Sequence, residues 1–361
     1  LLYNINKFYF NLMNITPKDN FFYHVNSDWI NSIEIPDDHQ SWGTFQILRK
    51  KTEGRMKRLI ESGNSQATTI YQQFINMKDN INPTDSYIIN SMLESINKAI
   101  TPTELFGIIT DYDIIYNFNI PIDFHVGADY NNSDNVIIHL ISGGLGLPDR
   151  EYYFLESKKD IRKKYGEFIT NYSKLFNISI DPNIIINIET MLANKMYTRV
   201  QRRNPQLLNN MTTLLKFKKD YPNLSFIERI IMANPTLTEK DYDINVMNPD
   251  YFKYLNDMIK HISLDNWKMF FNYKTICEFN NYLSNNTKEV FFNFYGRILH
   301  GVKKLKPKKS QAIDMIDNNM GELVGKLYTD KYFSQKSKDM AIEIFNYIKK
   351  ELKDYLKNNN W

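Results

Sequence analysis

The 361-residue sequence predicts a mainly α-helical fold broken by one small β-hairpin. Three observations point there. Helix starts recur in which a capping residue precedes proline: Asn82-Pro83, Thr101-Pro102, Asp181-Pro182 and Asn248-Pro249. Apolar residues three and four apart follow them. Only residues 123–140 carry the alternation and central turn cluster of paired strands.

The elements can be justified in order. Asp19–Trp29 reads as an aromatic, helix-like segment. On residue chemistry alone, Phe45 and Leu48 suit a core stripe and Arg49 a solvated charge. Thr101-Pro102-Thr103-Glu104 reads as a capping box. Asp123–Tyr130 and Val136–Leu140 are the extended segments, joined by the Asn131–Asp134 turn cluster. The hairpin then delivers the chain into Gly144–Tyr153, GLGLPDREYY. There Gly144 and Gly146 permit unusual backbone angles, and Pro148 sets its own φ. Asp149 and Glu151 suit the positive end of a helix. Ile188, Met191, Leu192, Lys195 and Met196 form a further helical stripe. At the C-terminal end Ser334 caps a helix whose stripe is Met340, Ile344, Ile348, Leu352 and Tyr355 or Leu356.

Composition bounds the function. Hydrophobic residues make up 42% and aromatics 14%, enough for a substantial core, and the net charge is only +4. No run approaches the roughly 18 apolar residues of a membrane span. The single cysteine, Cys277, excludes an intrachain disulfide and favours a reducing intracellular compartment. On its helical run it reads as a buried, inert thiol. The basic run Lys303, Lys304, Lys306, Lys308 and Lys309 reads as a solvated interhelical loop, since no aromatic platform accompanies it. No nucleic-acid partner is therefore expected. The chain does not begin with Met, which suggests a piece of a longer protein.

Several ordered motifs carry a family resemblance. DNFFYHVNSDW at Asp19–Trp29 is followed by Glu34-Ile35-Pro36 and by Trp42-Gly43-Thr44-Phe45. GLGLPDREYY, IETMLA at Ile188–Ala193, Met211-Thr212 with Leu214, and GELVGKLY at Gly321–Tyr328 with Tyr332-Phe333-Ser334 complete the series. The set resembles the N-terminal, non-catalytic helical region of the neprilysin and endothelin-converting-enzyme family of zinc metallopeptidases. It departs at Ser27, where the family has Gly, and at Lys308-Lys309, where it has Arg-Trp.

The resemblance implies one helical body over residues 1–361, with the segment 19–49 facing a catalytic domain. It implies zinc in the full-length enzyme, held by an HExxH helix and a later glutamate. Residues four apart share a helical face, so both imidazoles reach one metal. None of His24, His39, His125, His139, His261 and His300 has such a partner, so neither a catalytic residue nor a metal ligand is expected in this chain. The expected partners are a C-terminal catalytic domain and peptide substrates. By resemblance, Phe45 lines the pocket for the side chain after the scissile bond, and Arg49 lies in the next pocket. Ser41 stands where the neprilysin pattern has an arginine that binds a substrate's terminal carboxylate, and Gln46 where it has an aspartate. Losing that arginine removes a charge-assisted anchor of about 1.5–3 kcal/mol, so a general endopeptidase is expected. The competing reading is a stand-alone peptide-binding or scaffold protein derived from a split or decayed peptidase.

Overall fold

Helix boundaries follow the capping chemistry, with instructive exceptions. The computed structural model describes residues 15–63, 65–78, 82–224 and 241–359. Helix α1 (Pro17–Ser32) starts at Thr16 but breaks at Asn20, where φ is −161°. The Asn20 side chain accepts the Tyr23 N–H at 3.1 Å, so it caps a restart within the same element. Helix α2 (Thr44–Ser62) follows Gly43, and α3 (Gln66–Asn76) follows a Ser65 cap. The chain forms two compact units, one of residues up to Met77 together with those from His300, the other of Lys78–Leu299.

In the second unit, Asn82-Pro83 caps only a short 3-10 turn; the helix proper, α4 (Tyr87–Lys98), starts from a Ser86 cap. Helix α5 (Pro102–Tyr116) begins with Thr101 accepting the Glu104 N–H at 3.1 Å. The expected capping box is not reciprocal: Glu104 reaches one residue further back and accepts the Ile100 N–H at 2.8 Å. Asn117 ends α5 in the left-handed region, φ +55°.

The hairpin is present as β1 (Ile122–Ala128) and β2 (Val136–Ser142), with Phe124 opposite Leu140. After α6 (Glu151–Phe154), α7 (Lys159–Lys174), α8 (Pro182–Lys195) and α9 (Pro205–Leu208), strand β3 (Met211–Thr213) and helix α10 (Leu214–Asp220) follow. Strand β4 (Asp243–Val246) then lies parallel to β2 and antiparallel to β3. The hairpin is thus half of a four-stranded sheet ordered β1-β2-β4-β3. The added strands are three and four residues long, too short to show a period.

Helices α11 (Pro249–His261), α12 (Leu264–Glu278) and α13 (Asn285–Phe292) complete this unit with a π-helical turn, Asn293–Leu299. Helix α12 is the central one. Every residue from Phe270 to Ile276 is buried, so it shows no single apolar stripe. Trp267 and Phe271 pack around Phe106 of α5, with ring centroids 4.9 and 5.0 Å away. The predicted α8 stripe turns inward: Ile188 and Leu192 are buried, and Lys195 lies 5.5 Å over the Tyr254 ring.

The first unit resumes with α14 (Lys308–Tyr332), kinked at Met320, and α15 (Gln335–Lys357), capped by Ser334 as expected. Its core joins Met56 and Ile60 of α2, Ala67, Tyr71 and Phe74 of α3, and Ala312, Ile313, Ile316 and Val324 of α14. Helix α15 contributes nothing to it and has no buried residue. Among the described residues, no helix is long and apolar enough to cross a membrane.

Candidate functional site

Helix α2 divides its length between two tasks. Its later turns anchor it through Met56 and Ile60, and Arg55 donates to the Tyr328 hydroxyl at 3.0 Å. Its first turns leave Phe45 84% and Leu48 57% exposed, so the expected core stripe does not form there. A bare phenyl ring on a rigid helix is costly in water and suited to an apolar contact. Gln46 donates through Nε2 to the Ser41 hydroxyl at 3.3 Å, a neutral pair spanning the helix start. Arg49 is largely solvated. Its Nη2 lies 3.8 Å from Asp314, whose other oxygen accepts from Lys306 at 2.5 Å. The guanidinium is loosely steered and free to take a carboxylate. The four residues singled out in the sequence therefore lie together at the start of one helix.

The basic run is tied down within this unit. Lys303 pairs with Asp37, Lys306 with Asp314 and Lys309 with Glu61, while Lys308 donates to the Met77 carbonyl. Lys303, Lys304 and Lys306 lie in the loop expected from the sequence, whereas Lys308 and Lys309 already form the first turn of α14.

GLGLPDREYY is the opposite kind of site. Gly144 has φ +91°, as expected. Gly146 is required for space instead: a Cβ there would lie 1.8 Å from the Tyr165 hydroxyl oxygen. The Tyr153 hydroxyl accepts the Leu147 N–H at 3.0 Å and donates to Glu189 Oε2 at 2.8 Å. Glu189 Oε1 accepts from Tyr165 at 3.1 Å and from Lys274 Nζ at 2.7 Å. Both charged groups are almost wholly buried, at 0% and 4% exposure. Burial beside Glu189 pushes the Tyr153 and Tyr165 hydroxyls well above their ordinary range, so they remain donors. Asp149 is buried too, which raises the cost of its charge. The bonds from Arg199, the Glu151 N–H and Arg202 outweigh that and hold its carboxyl below the usual range.

Glu189 was the hub that sequence reasoning did not name. The signal was present for the acid: it is the lone acid among Ile185, Ile188 and Leu192 on one helical face, whereas Lys274 shares its aromatic helix with Lys268 and only burial sets it apart.

The histidines are dispersed among structural tasks. His24 Nδ1 lies 2.8 Å from the Ile15 carbonyl, His39 pairs with Asp38, and His261 contacts the Asp257 carbonyl. His139 accepts from Asn245 at Nδ1 and donates from Nε2 to the Ala128 carbonyl, with His125 stacked on it at 4.7 Å. Among the described residues, no group of three or more His, Cys, Asp or Glu could hold a metal ion. Burial pushes the Cys277 thiol up to about 12, in keeping with an inert side chain.

Known proteins share this architecture. A family model described as Peptidase family M13 matches residues 17–361. The chain belongs to peptidase family M13. Membrane metallo-endopeptidase-like 1 of Mus musculus is 24% identical over 380 residues, covering 96% of this chain and 49% of the relative. Neprilysin of Mus musculus is 22% identical, covering 96% and 51%. The fold matches the zinc metalloprotease Zmp1 of Mycobacterium tuberculosis, solved with an inhibitor, at a TM-score of 0.80 and 22% identity, covering 91% of this chain and 52% of that one. PepO of Lactobacillus rhamnosis matches at 0.75 and 16% identity, covering 96% and 56%. The M13 chain described here spans about half the length of the curated relatives it matches.

Proposed function

We propose that residues 1–361 form the N-terminal, substrate-chamber region of a zinc metalloendopeptidase that hydrolyses peptides, with zinc and the catalytic residues supplied by a C-terminal catalytic domain. The observation that carries this reading is the uncovered apolar surface of the first unit. Phe45 and Leu48 on α2, and Met340, Ile344, Ile348, Leu352 and Tyr355 along α15, lie between 52% and 84% exposed. An amphipathic helix with its whole apolar stripe in water lacks the burial that normally stabilises it. A covering domain would supply that burial. A reducing compartment suits the lone Cys277.

Within the chamber, Phe45 supplies apolar wall to the residue after the scissile bond, and Arg49 takes a substrate carboxylate or carbonyl in the next pocket. Ser41 and Gln46 offer only a neutral hydrogen-bonded pair where the neprilysin pattern has opposite charges. The full enzyme then acts as a general endopeptidase with little preference for a free C-terminus. Matched free-acid and amidated peptides, assayed with the full-length protein, test this. The expected kcat/KM values agree within about threefold; a free-acid preference of ~10-fold or more, the signature of a charge-assisted anchor, contradicts it. Chelator-sensitive hydrolysis by residues 1–361 alone would contradict the division of labour.

A further inference from the structure

Strand β1 is an outer strand of the sheet, with β2 as its neighbour on one side. Two bonds flanking it fix which backbone groups face outward. The Pro121 carbonyl accepts the Gly143 N–H, and the Asp129 N–H donates to the Asn135 carbonyl. Odd-numbered residues therefore turn to β2, while Ile122, Phe124 and Val126 direct their N–H and C=O groups away from it. One outward group is met from within the strand: Asp123 Oδ1 accepts the Phe124 N–H at 2.7 Å. The strand carries neither proline nor lysine, the residues that commonly blunt an exposed edge, so Asp123 is its guard.

The two faces of β1 differ in chemistry. Ile122 and Phe124 lie on the face packed against the core, where Val126, 64% exposed, continues the row. Asp123 and His125 lie on the other face and are exposed, with His125 stacked on His139. An antiparallel copy of the same strand, placed with its two-fold axis at Phe124, sets Phe124 against itself as a hydrogen-bonded pair. It sets Ile122 against Val126, and Asp123 against His125, twice each. The Asp123–His125 pairs fall at the non-hydrogen-bonded positions, where opposing Cα atoms come to about 4.5 Å and side chains meet most closely. Each face is thus self-complementary, apolar on apolar and carboxylate on imidazole. Centring the axis on Val126 instead would set Asp123 against Asp129, a like-charge pair, so the register is specified.

We propose that β1 is a self-association edge: a second copy of this chain pairs with it antiparallel across Phe124, joining the two sheets edge to edge. The Asp123 carboxylate of each copy leaves its own Phe124 amide and takes an imidazole N–H from His125 of the other. The freed amide then donates to the Phe124 carbonyl across the axis, one of about six backbone bonds that three hydrogen-bonded pairs supply. Burial and His139 hold the His125 charge down in the single chain, while Asp123 favours it; a second carboxylate across the axis favours it further. The guard also selects the partner. A strand with no donor opposite Asp123 leaves that carboxylate on the Phe124 amide, and the edge stays closed.

Sedimentation of the full-length protein at neutral pH tests this over about 1–100 μM, the range of small, transient interfaces. The weight-average mass should rise from monomer towards dimer. His125→Asp sets like charges opposite each other twice and should weaken association by ~10-fold or more. The swap, Asp123→His together with His125→Asp in one chain, restores the opposed pair. It should return association to within about threefold of wild type, a recovery that a purely local effect of either change does not give. Val126→Pro removes an outward N–H from each copy at an edge position where proline is tolerated, and should weaken association likewise. It provides the decision should His125→Asp fail to fold. A wild-type protein that stays monomeric over the range, a dimer unmoved by His125→Asp and Val126→Pro, or a swap as weak as His125→Asp alone overturns the proposal.

Discussion

The GLGLPDREYY loop and the first turns of α2 are both family markers, and they are built in opposite ways. In the loop, the Leu147 N–H and the Gly146 carbonyl meet the Tyr153 and Tyr295 hydroxyls, and Glu189 and Lys274 close the network behind them. On α2, Phe45 stands 84% exposed and Arg49 has one long contact to an acid. A recognisable motif can therefore be a device for folding or a surface kept ready for contact. Only the partners of its side chains tell the two apart.

The comparison breaks most readily at Glu189. Glu189→Gln leaves the buried Lys274 ammonium without its counter-charge and should cost about 3–5 kcal/mol. Chemical denaturation of the folded protein measures it. A loss below ~1 kcal/mol would mean the network is no more structural than a surface pair.

Asp149 comes next. Its carboxyl is held low, so its contribution is present above the ordinary aspartate range and is lost as pH falls through the lowered value. Asp149→Asn should cost about 1.5–3 kcal/mol at pH 7, and the gap to wild type should begin to narrow only as the pH falls below the ordinary aspartate range and close once it passes the lowered value. A gap that persists in acid would assign the effect to packing instead of charge.

The outward surface should give the smallest effects on stability. Phe45→Ser and Ile348→Ser should each shift the stability of residues 1–361 by no more than ~0.5 kcal/mol. In the full-length enzyme, Phe45→Ser should lower kcat/KM for peptides with a bulky residue after the scissile bond by about tenfold, the worth of a lost apolar contact. A large stability loss from either change in the isolated chain would show that these side chains are covered after all.

Much of the fold was legible because helix starts are local. Ser334, Asp181 and Asn248 cap the helices their neighbours predict, and the proline after Asp181 and Asn248 needs no distant partner. The hairpin was legible because its strands run seven residues each. Strands β3 and β4 were not, since their place beside β2 depends on long-range pairing. Asn82 misled because a cap-proline pair starts a 3-10 turn as readily as a helix. Within the candidate site, Ser41, Phe45, Gln46 and Arg49 were singled out by the family resemblance, while residue chemistry alone pointed to a core stripe at Phe45 and Leu48 that does not form.

The sequence by itself determined the helices, the hairpin and the ordered motifs of the family, because these rest on neighbours within a few residues. The tertiary structure alone decided which side chains of the motifs are buried and which are left in water. It showed Gly146 to be a glycine for want of space beside Tyr165, and Glu189 to be the hub of the loop. It also left the α15 stripe in water. Burial and pairing are relations between distant residues, and no local pattern carries them.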